Sequence, residues 1–126
     1  MKSPDEANWP DEHVEVRKQL IHLIRARRRR HGAPPERPTR IRYLQMVSPE
    51  SGLPLTESGM WHAIDQALDS GIPLEPVTLR QPPGERGWTF KFRWAPAEPL
   101  VYVKLQIIGS YVVLRSFHHS EREHNA

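Results

Sequence analysis

The clearest pattern in the chain is a strict alternation of aromatic and polar residues. It occupies the run Trp88-Thr89-Phe90-Lys91-Phe92-Arg93-Trp94. Because successive side chains of a strand point to opposite faces of a sheet, this alternation predicts a half-buried strand. We expect its four aromatic side chains to be buried, and Thr89, Lys91 and Arg93 to point to the opposite face, with Lys91 and Arg93 in solvent.

Two further β-rich runs, residues 100–108 and 111–117, follow this strand and predict a hairpin. Gly109-Ser110 between them is suited to a two-residue turn. Regular alternation gathers the aliphatic side chains of both runs on one face, which predicts a core. That face consists of Val101, Val103, Leu105, Ile107, Val112 and Leu114.

The opposite face of the predicted sheet is cationic. With Ile108 and Tyr111 flanking the turn, the hairpin register gives the pairs Lys104–Arg115, Gln106–Val113 and Tyr102–Phe117. The aromatic strand keeps its charges on the same face if Trp94 pairs with Val101. The remaining expected pairs are then Arg93–Tyr102, Lys91–Lys104 and Thr89–Gln106.

Like charges placed opposite each other in a sheet repel, so this cluster costs stability unless an anion is present. It therefore favours phosphate binding. The alternative is that the long Lys and Arg stems diverge into water at small cost.

Helical spacing of apolar residues predicts two helices ahead of the sheet. The first runs from Asp11 to His31, with Gly32 as its end, and its last turns hold Arg27, Arg28, Arg29 and Arg30. The second begins near Thr56 or Ser58 and stops at Gly71. A short strand is predicted between them, at residues 41–47.

These elements predict one α+β domain over residues 1–126, with N-terminal helices packed on a small antiparallel sheet. Residues 1–10 and 120–126 are expected to be flexible, and residues 33–39 form a Pro-rich linker. The sequence contains no run apolar enough for a membrane span or a secretory signal, which predicts a cytoplasmic location without a membrane partner. With no Cys, disulfides and thiolate zinc sites are excluded.

Charge segregation adds a candidate partner. Lys and Arg number 18 against 15 Asp and Glu, a small surplus, but Arg dominates residues 25–42. A clustered basic face favours RNA or another polyanion. The run Arg27 to Arg30 is accordingly a candidate phosphate contact, and the alternative is a solvated helix end.

The segment Val101-Tyr102-Val103-Lys104, a tight turn and a strand ending in Ser116-Phe117 resemble the C-terminal hairpin of the MqsR family of toxins. These are RelE-like bacterial mRNA interferases. The resemblance, which covers this hairpin only, implies a RelE-like fold, RNA cleavage without metal or cofactor, and a cognate antitoxin protein. It also implies a catalytic role for Tyr102, with Lys104 beside it.

Metal-free RNA cleavage needs a base, an acid and cations at the phosphate. Tyr102 could serve as acid, base or stacking platform, and Lys104 and Arg115 could stabilise charge. Where the family usually has a Lys and an acid, this chain has His118 and His119, which could handle protons near neutral pH. Strand alternation predicts His119 on the cationic face and His118 toward the core.

Lys91, Arg93 and Gln106 complete the candidate RNA-binding surface. The terminal histidines lack carboxylates at ligand spacing, so no metal site is predicted. The sequence thus leads to the hypothesis of a metal-independent endoribonuclease toxin, a hydrolase acting on RNA. The alternative is a non-catalytic RNA-binding or protein-binding regulatory module.

Overall fold

The computed structural model describes residues 11–32, 41–43, 46–79 and 83–120. Within these ranges the chain has an α+β architecture, with two helices and one five-stranded sheet of order β1-β5-β4-β3-β2. The elements are α1 (Asp11–Arg25), β1 (Arg29–His31), α2 (Glu57–Asp69), β2 (Glu75–Thr78), β3 (Arg86–Phe92), β4 (Val101–Ile108) and β5 (Tyr111–His119).

The sheet is mixed, whereas the sequence predicted an antiparallel one. The edge strand β1 runs parallel to β5, and all other neighbours are antiparallel. Because β1 lies between α1 and α2 in the chain, the two helices do not simply precede the sheet. The α+β prediction is confirmed. The placement of the helices differs from the prediction, because the strand between them lies at Arg29–His31 rather than at residues 41–47.

Helix α1 ends at Arg25, and the prediction that it reaches His31 is wrong. The N–H of Arg28 donates to the carbonyl of Leu23 at 2.9 Å, and the N–H of Arg27 to that of Ile24 at 3.1 Å. With Arg27 at a φ of 61°, these bonds form a Schellman motif that has arginine where glycine is usual. Between Ile24 and Gly32 the one apolar residue is Ala26, which is exposed, so a longer helix would add little burial.

Helix α2 was predicted correctly from its caps. The side chain of Thr56 accepts a hydrogen bond from the N–H of Gly59, which satisfies one of the free donors of the first turn. At the other end, Ser70 caps the helix and Gly71 adopts a φ of 88°, a conformation that favours glycine. The helix therefore begins and ends where the sequence indicated.

Both helices contribute to one core against the same face of the sheet. Leu20 and Ile24 of α1 and Trp61 of α2 are almost completely buried in it. The sheet supplies Trp88, Phe90, Phe92, Val101, Val103, Leu105, Val112, Leu114 and Phe117. Trp94 is only half-buried, because β3 ends at Phe92.

The pairing of β3 with β4 is displaced by two residues from the predicted register. Phe92, rather than Trp94, lies opposite Val101, and Lys91 lies opposite Tyr102. The predicted pairs Lys91–Lys104, Arg93–Tyr102 and Thr89–Gln106 are therefore wrong. An even displacement keeps every side chain on its face, so the predicted division into core and polar faces still holds along β3.

A β-bulge changes the second half of the β4–β5 hairpin. Gln106 pairs with Val113 as predicted, but after Leu105–Leu114 the register shifts, and Lys104 pairs with Ser116. The predicted pairs Lys104–Arg115 and Tyr102–Phe117 are wrong, because Arg115 is the extra residue of the bulge. The shift turns Phe117 into the core, where it is 0% exposed. Burying a phenyl ring offsets an irregular ladder by about 2 to 3 kcal/mol.

Neither edge strand of the sheet, β1 or β2, was predicted, and the strand that was predicted at residues 41–47 is wrong. Residues 41–47 form no strand in the described part of that run; Ile41 makes one parallel bridge to Phe117, and Val47 one bridge to Pro54. At the far edge, β2 contains Pro76, which an edge strand tolerates because one side of it makes no ladder bonds.

The segments expected to be flexible, residues 1–10 and 121–126, lie outside the described residues, as does the Pro-rich linker at 33–39. Ser120, assigned to the flexible tail, donates its N–H to the carbonyl of Leu100 at 2.8 Å. Among the described helices, none is both long and apolar enough to span a membrane.

Candidate nucleic-acid interface

The face of the sheet that points away from the helices carries most of the candidate residues, and we call it the outer face. Pairing places Lys91 beside Tyr102, and Tyr102 beside His118. Lys104, opposite Thr89 and Ser116, is half-buried, as are Tyr102 and Arg115. The structure therefore brings four predicted residues together: Lys91, Tyr102, Lys104 and Arg115.

The bulge reverses the faces of the sheet on which the two histidines were predicted to lie. His118, predicted to point to the core, lies opposite Tyr102, with 5.4 Å between the ring centroids. His119, predicted for the cationic face, lies opposite the core residue Val101. Both assignments are wrong for the same reason, because one extra residue in a strand reverses the alternation beyond it.

The hydrogen bond of His118 defines its protonation chemistry. Its Nδ1 lies 2.9 Å from the carbonyl oxygen of His119, and a carbonyl can only accept, so Nδ1 carries the proton. Nε2 is then the unprotonated nitrogen of the neutral ring, and this atom is buried. The His118 side chain is buried, whereas the neighbouring Tyr102 is half-exposed.

Arg115 is held in place by the end of β1. Its Nη1 donates to the carbonyl of Gly32 at 2.5 Å, while the N–H of Gly32 donates to the carbonyl of Leu114 at 2.7 Å. A Cβ at position 32 would lie 2.3 Å from Cγ1 of Val113 and 2.8 Å from Nη1 of Arg115. A larger residue at position 32 would therefore force the side chains of Val113 and Arg115 to shift.

Two predicted RNA contacts have other roles. Gln106 is 2% exposed, and its Nε2 donates to the carboxylate of Glu85, so it is part of the sheet rather than its surface. Arg93 follows the end of β3 and donates to the carbonyl of Glu98 at 2.7 Å. It also lines a cavity of about 270 Å³ next to α2, together with Gln66 and Trp94. Neither joins the group around Tyr102.

The arginine run is divided by the alternation of β1. Arg28 and Arg30 extend toward Tyr111, and the Cζ of Arg30 lies 3.9 Å from the centroid of its ring. Arg29 turns to the other side, where its Nη1 donates to the carbonyl of Ile24 at 3.2 Å. Arg27 occupies the left-handed turn and stays outside both groups. Only two of the four predicted RNA contacts therefore lie on the outer face.

Tyr111 and Ser110 were not among the predicted site residues. Nη1 of Arg28 donates to Oγ of Ser110 at 3.3 Å, at the turn of the hairpin. Tyr111 was noticed only as a residue flanking the turn, because no sequence signal indicated that β1 would lie beside β5. The parallel pairs Arg29–Val112 and Arg30–Val113 create this neighbourhood.

Charge varies across the outer face. Cations lie on β1, β5 and β4 and at Lys91 near the end of β3, whereas Glu75 pairs opposite Thr89 and Glu85 binds Gln106 toward the β2 edge. This arrangement suits a polyanion on one half of the sheet only. Within the described ranges, no group of three His, Cys, Asp or Glu side chains could hold a metal ion.

Comparisons with known proteins return no relative. No protein-family model, no curated protein and no solved structure matches this chain.

Proposed function

We propose that this protein is a metal-independent endoribonuclease of the toxin class, which cleaves RNA on the outer face of its sheet. The observation that carries the proposal is the pairing of Tyr102 with His118, two groups able to handle protons, next to the cation of Lys91. An anion-binding sheet needs no such pair, whereas acid-base catalysis does.

The proposed reaction is an in-line displacement at phosphorus. A base removes the proton of the ribose 2′-hydroxyl, the O2′–P bond forms, and the P–O5′ bond breaks as an acid protonates the leaving 5′ oxygen. The products are a 2′,3′-cyclic phosphate and a 5′-hydroxyl, with no change in redox state. In this proposal, Tyr102 contacts the reacting phosphate from its half-exposed position. The Nε2 atom of His118 is buried next to the Tyr102 ring, so the proposal requires a small movement of the His118 ring before it exchanges a proton with the Tyr102 hydroxyl.

Charge accumulates on the phosphate oxygens as the bonds change. Lys91, Lys104 and Arg115 are the cations on this part of the sheet, and fixed charges at such positions stabilise the transition state. The contact of Arg115 with Gly32 supports this role, because it limits the motion of the guanidinium before substrate binds.

The wider hypothesis follows from the resemblance of the β4–β5 hairpin to MqsR-like, RelE-like toxins. In this proposal the protein acts on bacterial mRNA in the cytoplasm, and a cognate antitoxin protein blocks it by covering the outer face. The mixed sheet and the β1 strand would be this chain's own addition to a RelE-like arrangement.

The test compares cleavage of an end-labelled RNA by the wild type and three variants, with EDTA present. We expect Tyr102→Phe and His118→Gln to lower the rate by about a hundredfold or more, as loss of a well-placed catalytic group does. His119→Gln is the matched control, since it removes the same ring from the adjacent position but off the outer face. We expect it to retain most activity, and the products to end in cyclic phosphate.

Three results would contradict the proposal. They are no cleavage by the wild type, activity that EDTA abolishes, and equal damage from the His118 and His119 variants. Growth arrest on expression that Tyr102→Phe relieves would support the toxin assignment, whereas arrest that persists in this variant would count against it.

A second candidate function is a non-catalytic RNA-binding module. The stacking of Arg30 on Tyr111 favours it, because this contact lies away from the Tyr102–His118 pair and needs no chemistry. RNA binding by the wild type without cleavage would select this alternative.

A further inference from the structure

Two arginines and a tyrosine form a compact group where β1 meets the β4–β5 turn, and we call it the Arg–Tyr cluster. It consists of Arg28, Arg30 and Tyr111, with Ser110 at its border. The guanidinium of Arg30 lies over the ring at 3.9 Å, and Arg28 is tethered to the Ser110 hydroxyl. Both cations are exposed.

Among the described residues, the two arginines of the cluster have neither a carboxylate nor a backbone carbonyl as a side-chain partner, which distinguishes them from Arg25 and Arg29. Arg25 pairs with Asp65 at 2.9 Å, and Arg29 binds a backbone carbonyl. Over the described ranges, no carboxylate forms an ion pair with Arg28 or Arg30. Two like charges are thus held near one ring with no counter-charge from these residues, an arrangement that an added anion would stabilise.

The geometry favours a phosphate group over a monatomic anion such as chloride. Stacking uses the face of a guanidinium and leaves its N–H edge directed outward, where it can bind two phosphate oxygens at once. Because the ring and the Ser110 hydroxyl already restrict these side chains, binding loses less side-chain entropy than it would at two free arginines.

The position of the cluster indicates a polymeric ligand. Arg30 lies beside Val113, and Arg115 follows two residues further along β5, roughly 7 Å away along the strand. Continuing along β5 leads to His118 and its partner Tyr102. A chain of phosphates can therefore follow β5 from the cluster to the candidate active site, which a single phosphate cannot.

We propose that the Arg–Tyr cluster is a docking site for the phosphate backbone of single-stranded RNA, which it directs along β5 toward Arg115 and Tyr102. The choice of RNA as the polyanion rests on the proposed function. The docking itself requires no cleavage, so the two can be tested separately.

The experiment measures binding of a fluorescent twelve-nucleotide 2′-O-methyl RNA, which lacks the nucleophile and cannot be cleaved by the proposed reaction. Anisotropy titrations over a series of salt concentrations give the affinity and its salt slope. We expect Arg28→Gln and Arg30→Gln each to weaken binding by about three- to tenfold, and to reduce the magnitude of the slope by about 0.7 for each lost phosphate contact. Tyr111→Leu should weaken binding too, because it frees Arg30 from its stacked position.

Arg27→Asn is the matched control. It also removes one cation from the run, and asparagine tolerates the left-handed conformation of this position. We expect its affinity and salt slope to remain near those of the wild type. Thermal unfolding midpoints of all variants verify that the folded state is retained.

The outcomes separate this inference from the proposed function. Wild-type affinity in both Arg28→Gln and Arg30→Gln, an equal loss in Arg27→Asn, or no binding by the wild type would overturn the docking site. Binding that depends on Arg28 and Arg30, together with no cleavage of ordinary RNA, would uphold the docking site and reject the ribonuclease.

Discussion

The arginines between the helices and those on the edge strand differ in what surrounds their charge. Arg17 of α1 is 7% exposed, and its guanidinium donates to the carbonyls of Leu68 and Ile72 at the end of α2. Arg25 forms two hydrogen bonds with Asp65. Arg28 and Arg30, a few residues later, instead lie exposed over an aromatic ring.

The pKa directions express the same contrast. Burial lowers the pKa of Arg17, because leaving water disfavours its charged form. The hydrogen bond and charge of Asp65 raise the pKa of Arg25. The comparison teaches that the neighbours of an arginine, rather than its place in a basic run, distinguish a structural cation from one available to a ligand.

The largest effect on stability is expected at Arg17. Arg17→Met keeps the apolar stem but leaves the carbonyls of Leu68 and Ile72 without this donor. We expect the free energy of unfolding to fall by about 2 to 4 kcal/mol, as for the loss of a buried charged hydrogen-bonding partner. Urea unfolding measures the loss, and Arg28→Gln should show almost none. Equal losses in the two variants would remove the distinction between the two groups.

The contact of the β1 end with β5 depends on Gly32. In Gly32→Ala the added methyl group would overlap Val113 and crowd Arg115, so we expect unfolding to become easier by about 1 to 3 kcal/mol. Val113→Ala removes the overlapping atom. In a double-mutant cycle, the alanine at position 32 should therefore cost less on the Val113→Ala background. Strictly additive effects would indicate that β1 does not approach β5 this closely.

The smallest effect is expected where the two regions meet, at Arg27. Its positive φ is unfavourable for a residue with a side chain, so Arg27→Gly should raise the free energy of unfolding, by about 1 kcal/mol at most. Thermal unfolding measures the gain, with Arg28→Gly as the comparison at a neighbouring position for which no positive φ is found. A stability loss in Arg27→Gly would contradict the Schellman end of α1.

Much of the sheet could be predicted because a strand that shifts by an even number of residues keeps every side chain on the same face. The two-residue displacement of β3 left Lys91 and the aromatic residues on their predicted faces. The bulge at Arg115 is different, because it arises from burying Phe117 and depends on the packing of the whole core. The extra residue in the bulge determines which histidine lies beside Tyr102, and no local pattern in the sequence predicts the bulge.

The arginine run shows a second limit of local pattern. Helical propensity and Gly32 together suggested one continuous helix, and arginine is a good helix former. The competing state, a strand beside β5, is favoured by backbone groups far away in the sequence. The Arg–Tyr cluster could be recognised only after that parallel pairing was known.

The parallel pairing also has a consequence for the order in which the molecule forms. Gly32 and Arg115 are separated by 83 positions in the chain, so their contact requires closure of a long loop. The helices and the β4–β5 hairpin can fold from nearby residues, whereas β1 must wait for β5 to be synthesised. During translation, Arg28 and Arg30 therefore remain apart from Tyr111 and Arg115, and a nascent chain that has not reached β5 has no Arg–Tyr cluster.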